Sequence, residues 1–258
     1  MPVWKAIVLG IVQGLTEFLP VSSSGHILIF ERILNVNTGG ADMFLGIVLH
    51  AGTLFAVIAV YFKKLISLIK SPFDNLFKLI IASVPAAIVG FTLGDIIDEL
   101  FFSGNFLWLA FAVTAILLSL SECKIKRATC FYPLNNKRAL IIGLSQALAV
   151  IPGLSRSGTT LSAATLSGVN QKDATDFSFI MSVPVIFGAL LSEILKCFSG
   201  SISIGNIGLI PLLIATFSSF ICGVFAIKVM IKTIKKGNYK FFCIYLIILS
   251  LLLIIFPF

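Results

Sequence analysis

A carboxylate, a run of serines and an imidazole stand close together in an otherwise apolar stretch: Gln13-Gly14-Leu15-Thr16-Glu17-Phe18-Leu19-Pro20-Val21-Ser22-Ser23-Ser24-Gly25-His26. An ionisable side chain in such surroundings costs on the order of a few kcal/mol, and usually marks an ion, proton or substrate site. Gln13 and Glu17, four residues apart, share one helix face, Pro20 ends that helix, and Ser22 to Gly25 form a donor-rich tip. His26, which directly follows that tip, can act near neutral pH as acid, base or nucleophile. The second histidine, His50, lies alone in an apolar segment and is assigned to packing, outside the site.

A second constellation, Pro152-Gly153-Leu154-Ser155-Arg156-Ser157-Gly158-Thr159-Thr160, centres on a permanent cation. The planar guanidinium of Arg156 grips phosphate oxygens through paired bonds. The hydroxyls of Ser155, Ser157 and Thr160, with Ser22 and Ser24 on the other segment, can line a nest for the same anion. The N-terminus of a helix over 159–167 would face it. Arg156 would also pair with Glu17 when no substrate is present, but that pair alone leaves the hydroxyls at both tips unexplained.

The elements that hold these residues follow from composition. With 58% hydrophobic and 12% charged residues the chain lies far from the roughly 25% charged typical of soluble domains. Apolar segments over 43–62, 79–94, 106–121, 177–195, 207–229 and 241–257 predict about six transmembrane helices. The net charge of +8 comes from Lys and Arg gathered between apolar runs, a topology signal rather than a nucleic-acid face. It places the 63–78, 122–138 and 228–240 connections inside and 95–105, 196–206 and both termini outside. No cleaved signal peptide is expected, and the five cysteines have no metal-ligand spacing. Lys172, Asp173 and Asp176 read as an interfacial turn.

Two further apolar stretches, 2–30 and 139–170, are broken by Pro, Gly and Ser, and read as re-entrant hairpins whose tips can meet. Gly10, Gln13, Leu15, Ser22, Ser24 and Gly25 recur at a constant offset as Gly143, Gln146, Leu148, Ser155, Ser157 and Gly158. Ser83-Val84-Pro85 is echoed by Ser182-Val183-Pro184. The expectation is an all-α polytopic membrane protein, a single domain over 1–258. Its repeats, approximately 1–122 and 139–258, are inverted in the membrane and enclose a site between them.

The two motifs, Gln13-x-x-x-Glu17 with Phe18 to His26 and Pro152-Gly153-x-Ser155-Arg156-Ser157-Gly158-x-Thr160, resemble those of the undecaprenyl-diphosphate phosphatases, also called bacitracin-resistance proteins. The resemblance spans the chain. It implies hydrolysis of undecaprenyl diphosphate to the monophosphate carrier recycled for peptidoglycan and other envelope polymers, in the bacterial inner (plasma) membrane, with the site facing the periplasmic side. A divalent metal, Mg²⁺ or Ca²⁺, is implied, with Glu17 and Gln13 as its protein ligands. Carried over by position, Glu17 is the essential acid, Ser23 and His26 belong to the catalytic centre, and Arg156 with Ser155 and Thr160 binds the diphosphate. Either Ser23 or His26 attacks the terminal phosphorus. The expected partners are the lipid substrate and membrane lipids, with no nucleic acid and a homodimer as the candidate assembly. The rival from another class is a polyprenyl-phosphate flippase using the same site.

Overall fold

The computed structural model describes residues 1–36, 42–101, 104–128, 130–198, 207–234 and 238–257. Among these the chain folds into ten helices and no strand. The first pair, α1 (Val3–Phe18) and α2 (Ser23–Ile33), is followed by three long helices, α3 (Asp42–Leu68), α4 (Asp74–Phe101) and α5 (Leu107–Arg127). A second short pair, α6 (Asn136–Leu148) and α7 (Arg156–Leu166), precedes α8 (Gln171–Phe198), α9 (Leu209–Ile234) and α10 (Lys240–Ile255).

Among the described residues five helices are long and apolar enough to cross a bilayer: α3, α4, α5, α8 and α9. The exterior they present is greasy, with Phe91 (69% exposed), Leu209 and Phe241 (74%) turned outward. A soluble protein does not expose such a surface continuously; this is a multi-pass membrane protein. The sixth expected span, α10, has 16 residues, which at 1.5 Å per residue covers about 24 Å of the roughly 30 Å hydrocarbon core. The segment expected over 79–94 extends through all of α4, because the acid in its first turn, Asp74, suits the helix N-terminus and pairs with Lys78 at 2.5 Å. Lys172, Asp173 and Asp176, expected as a turn, are helical and form the opening turns of α8. Asn170 accepts a bond from the Asp173 N–H at 2.9 Å, and Asp176 binds Lys64 and the Tyr61 hydroxyl across to α3. Residues 199–206 of the 196–206 connection lie outside the described residues.

Helix packing is set by missing side chains. A Cβ on Gly10 of α1 would stand 2.6 Å from the Ala215 carbonyl oxygen of α9, and one on Gly143 of α6 would stand 2.5 Å from the Ala82 carbonyl oxygen of α4. Only glycine admits such backbone approach. The step along the sequence from Gly10 to Gly143 equals that from Ala82 to Ala215. Exchanging the two halves of the chain therefore maps one contact onto the other. The same exchange relates the α3–α9 packing to α4–α8 and leaves the α5–α10 and α3–α8 packings in place. Polar rivets run across these contacts: Ser219 donates to the Leu49 carbonyl at 2.8 Å and Ser250 to the Trp108 carbonyl at 2.7 Å.

Candidate active site between two broken helices

Each short pair breaks where the sequence forbids helix. Pro20 disfavours helical backbone at Leu19, which is extended (φ −73°, ψ 145°). The chain then turns through Ser22 at φ +73°, a left-handed value costly for a residue with a Cβ. Ser22 caps α2, its hydroxyl accepting from the Gly25 N–H at 3.4 Å. In the second pair the turn passes through Pro152 and Gly153 (φ +90°), and Ser155 caps α7 by accepting from the Gly158 N–H at 3.1 Å. The helix expected over 159–167 thus begins earlier, with Arg156 itself as its first residue.

The two tips touch. The Gly153 N–H donates to the Ser24 hydroxyl at 3.1 Å, and the Ser157 hydroxyl donates to the Leu19 carbonyl at 3.0 Å. Helix α5 braces both from behind. Thr114 accepts from the Ser155 N–H at 3.2 Å, and a Cβ on Gly25 would meet the Phe111 ring at 2.6 Å.

Glu17, buried at 6% exposure, is the hub. One carboxylate oxygen is bound by the Arg156 guanidinium from the opposite hairpin. The other accepts from the Ser23 hydroxyl at 2.5 Å and from the Gln13 amide at 3.0 Å. Nε2 of His50 stands 3.9 Å from that second oxygen. Nδ1 of His50 donates to the Gly46 carbonyl at 2.9 Å, which fixes the ring so that Nε2 points toward Glu17.

A cavity of about 670 Å³ opens onto this cluster. Its polar end is lined by Glu17, Ser22, Ser23, Ser24, Ser155 and Arg156, with His50, Ser83 and Gln146 beside them. Its apolar arm runs between α4 and α8, over Ala87, Gly90, Gly94, Pro184, Gly188 and Ala189, toward the Asp95–Lys196 ion pair. Ile80, Val84 and Phe91 line the same space and are exposed on the exterior, so the arm is open sideways. It is shaped for a charged head with an apolar tail.

The expected site residues divide into two groups. Glu17, Ser22, Ser23, Ser24, Ser155 and Arg156 face the cavity; Gln13, His26, Ser157 and Thr160 do not. Gln13 turns its amide nitrogen to Glu17. Ser157 joins the tips, and Thr160 donates to the Arg156 carbonyl at 2.9 Å, so both hydroxyls serve the scaffold. His26 is buried behind the tip. Its Nδ1 bonds the Ser22 carbonyl at 2.7 Å, its Nε2 bonds the Tyr245 hydroxyl at 2.7 Å, and its ring stacks on Tyr245. The assignment of His50 to packing is corrected: α3 carries it to Glu17, and a solitary histidine gave no sequence signal of that approach. Gln146 was visible as the counterpart of Gln13, but nothing in the sequence located its amide. Among the described residues no three His, Cys, Asp or Glu side chains gather as a metal site. Among the described residues Glu17 is the one carboxylate lining the cavity.

The profile of the family described as bacitracin resistance protein BacA matches residues 6–252. An undecaprenyl-diphosphatase of Carboxydothermus hydrogenoformans is 34% identical over 253 residues, covering 98% of this chain and 96% of that protein. Undecaprenyl-diphosphatases of Korarchaeum cryptofilum (37% over 268 residues, 97% and 98% covered) and Acetivibrio thermocellus (36% over 265, 98% and 96%) are similar along the same length. The family profile and the full-length similarity agree: the chain belongs to the bacitracin resistance protein BacA family.

Proposed function

We propose that the protein hydrolyses undecaprenyl diphosphate to undecaprenyl phosphate and inorganic phosphate. The observation that carries this reading is the 2.5 Å hydrogen bond from the Ser23 hydroxyl to Glu17 inside a cavity that also holds Arg156. A flippase needs a phosphate site but no activated hydroxyl, so this pair favours hydrolysis over transport.

In the resting site Arg156 neutralises Glu17. An arriving diphosphate competes for the guanidinium and draws it onto the phosphate oxygens, leaving Glu17 free to act as base. Glu17 takes the Ser23 proton as the Ser23 oxygen attacks the terminal phosphorus. The bond from that phosphorus to the bridging oxygen breaks, the lipid monophosphate departs, and water attacking the phosphoserine regenerates Ser23 and releases phosphate. Arg156, at the N-terminus of α7, stabilises the charge that develops on the equatorial oxygens. His26 acts from behind, fixing the strained Ser22 turn that presents Ser23. This reading departs from His26 as nucleophile because both its ring nitrogens are engaged away from the cavity.

Glu17, with diphosphate oxygens and water, suits Mg²⁺, which commonly binds one or two carboxylates plus substrate phosphates; Gln13 presents its NH₂ to Glu17 and is a poor ligand. Bound there, the cation supplies further neutralisation of phosphate charge. The halves 1–122 and 139–258 form an inverted repeat with two re-entrant hairpins, supported by the exchangeable Gly10–Ala215 and Gly143–Ala82 contacts. The charge bias of the loops supports an outward-facing site in the plasma membrane.

The test is phosphate release from undecaprenyl diphosphate by purified protein, with rapid quenches into acid and, in parallel, into alkali. An acid-stable phosphoserine at Ser23 is expected; an acid-labile phosphohistidine would transfer the nucleophile to His26. Absence of any phosphoenzyme during turnover would leave direct attack by water.

A further inference from the structure

We infer that Gln146 binds the phosphate that stays on the lipid, the one nearer the polyprenyl chain. The proposal rests on the diphosphatase reading and assigns this site a residue that neither motif contains.

Gln146 is buried at 2% exposure, yet neither its amide nitrogen nor its amide oxygen has a hydrogen-bond partner among the described residues. A buried amide left unpaired at both ends is costly and rare. Its counterpart in the first hairpin, Gln13, has no such deficit, since its nitrogen bonds Glu17 at 3.0 Å. Gln146 lines the cavity together with Glu17, Ser155 and Arg156, its unpaired amide covered within that wall. The residue therefore stands at the edge of an anion site with amide donors that nothing among the described residues receives.

Its place in the fold says which phosphate it meets. Gln146 lies on α6, which packs directly on α4 through Gly143 and Ala82. Residues of α4 near that contact, Ser83, Val84, Ala86 and Ala87, line the start of the apolar arm. The terminal phosphate must reach Ser23 on the opposite hairpin. A diphosphate with its tail in the arm and its terminal phosphorus at Ser23 places the lipid-bound phosphate on the α6 side, beside Gln146. A neutral amide suits that role, because it holds an oxygen that becomes the leaving group's without adding charge that would trap the product.

The experiment compares the full-length protein with Gln146→Met, which keeps the length of the side chain and removes its hydrogen bonding. Farnesyl diphosphate serves as substrate, with farnesyl phosphate and inorganic phosphate as inhibitors. The variant is expected to unfold at or above the wild-type temperature, because it removes a buried unpaired amide. Its KM for farnesyl diphosphate and its inhibition constant for farnesyl phosphate are expected to rise about tenfold, the value of one hydrogen bond to a charged group. The kcat and the inhibition by inorganic phosphate are expected to hold. Unchanged farnesyl phosphate inhibition would overturn the assignment. So would equal weakening of both inhibitors, or a lowered unfolding temperature that accounts for the lost activity. If the wild-type protein releases no phosphate, the diphosphatase reading fails, but Gln146 remains testable by thermal stabilisation with farnesyl phosphate. A stabilisation seen in wild type and lost in the variant supports the assignment, and equal stabilisation refutes it.

Discussion

Ser23 and Arg156 open the two equivalent helices α2 and α7, each directly after a capping serine, and they close on opposite oxygens of the same carboxylate, Glu17. Duplicated backbone geometry has thus been given unlike side chains, one a nucleophile and the other a cation.

Removing either member of the Glu17–Arg156 pair leaves a buried charge uncompensated. Glu17→Gln and Arg156→Met should each abolish phosphate release, and Arg156→Met should also lower stability by about 3 kcal/mol. The double variant should regain most of that stability and none of the activity, as read by denaturant unfolding beside the phosphate assay. Stability that stays low in the double variant would mean the pair is not the source of the loss.

Ser23→Ala should reduce kcat by roughly a thousandfold or more, the scale lost when a covalent nucleophile is deleted. The fold should be unaffected, since the serine hydroxyl bonds only Glu17. Arg156→Lys should restore little, because a point charge cannot replace the fork.

His50 and His26 should separate cleanly. His50→Leu should lower kcat by about ten- to a hundredfold through loss of a polar group beside Glu17. Tyr245→Phe, which strips the partner from His26 Nε2, should instead cost about 1 kcal/mol of stability with kcat largely kept. A catalytic collapse in Tyr245→Phe would return His26 to the chemistry.

Gly188→Leu and Gly90→Leu place side chains where nothing lies within 4 Å of a built Cβ, so both proteins should fold normally. They narrow the arm between α4 and α8. KM for undecaprenyl diphosphate should rise while farnesyl diphosphate is turned over nearly as before. Gly10→Val and Gly143→Val, by contrast, should destabilise by about 1–3 kcal/mol or more, since each new Cβ meets a carbonyl.

Much of this was legible in the sequence because it is written in local chemistry. Pro20, Pro152 and the serine runs mark the helix breaks, and unbroken apolar stretches mark the spans. Glu17 and Arg156 stood out as charges without local reason to exist. The remainder depends on which faces meet. His26 looked catalytic from its neighbours, yet its ring is fixed by Tyr245 at the far end of the chain. His50 looked like packing until α3 brought it to Glu17. Gln13 and Gln146 repeat one another in sequence, and only their surroundings distinguish a satisfied amide from an unsatisfied one.

The sideways opening beside Phe91 determines how the enzyme and its substrate find each other. A lipid drawn up into water would lose about 0.8 kcal/mol for every CH₂ exposed, a prohibitive sum for a long prenyl chain. A tail seated between α4 and α8, two helices apolar enough to cross a bilayer, would be spared that cost. Encounter would then be a two-dimensional search within the membrane, so turnover in a cell should follow the surface density of the carrier rather than its amount per volume.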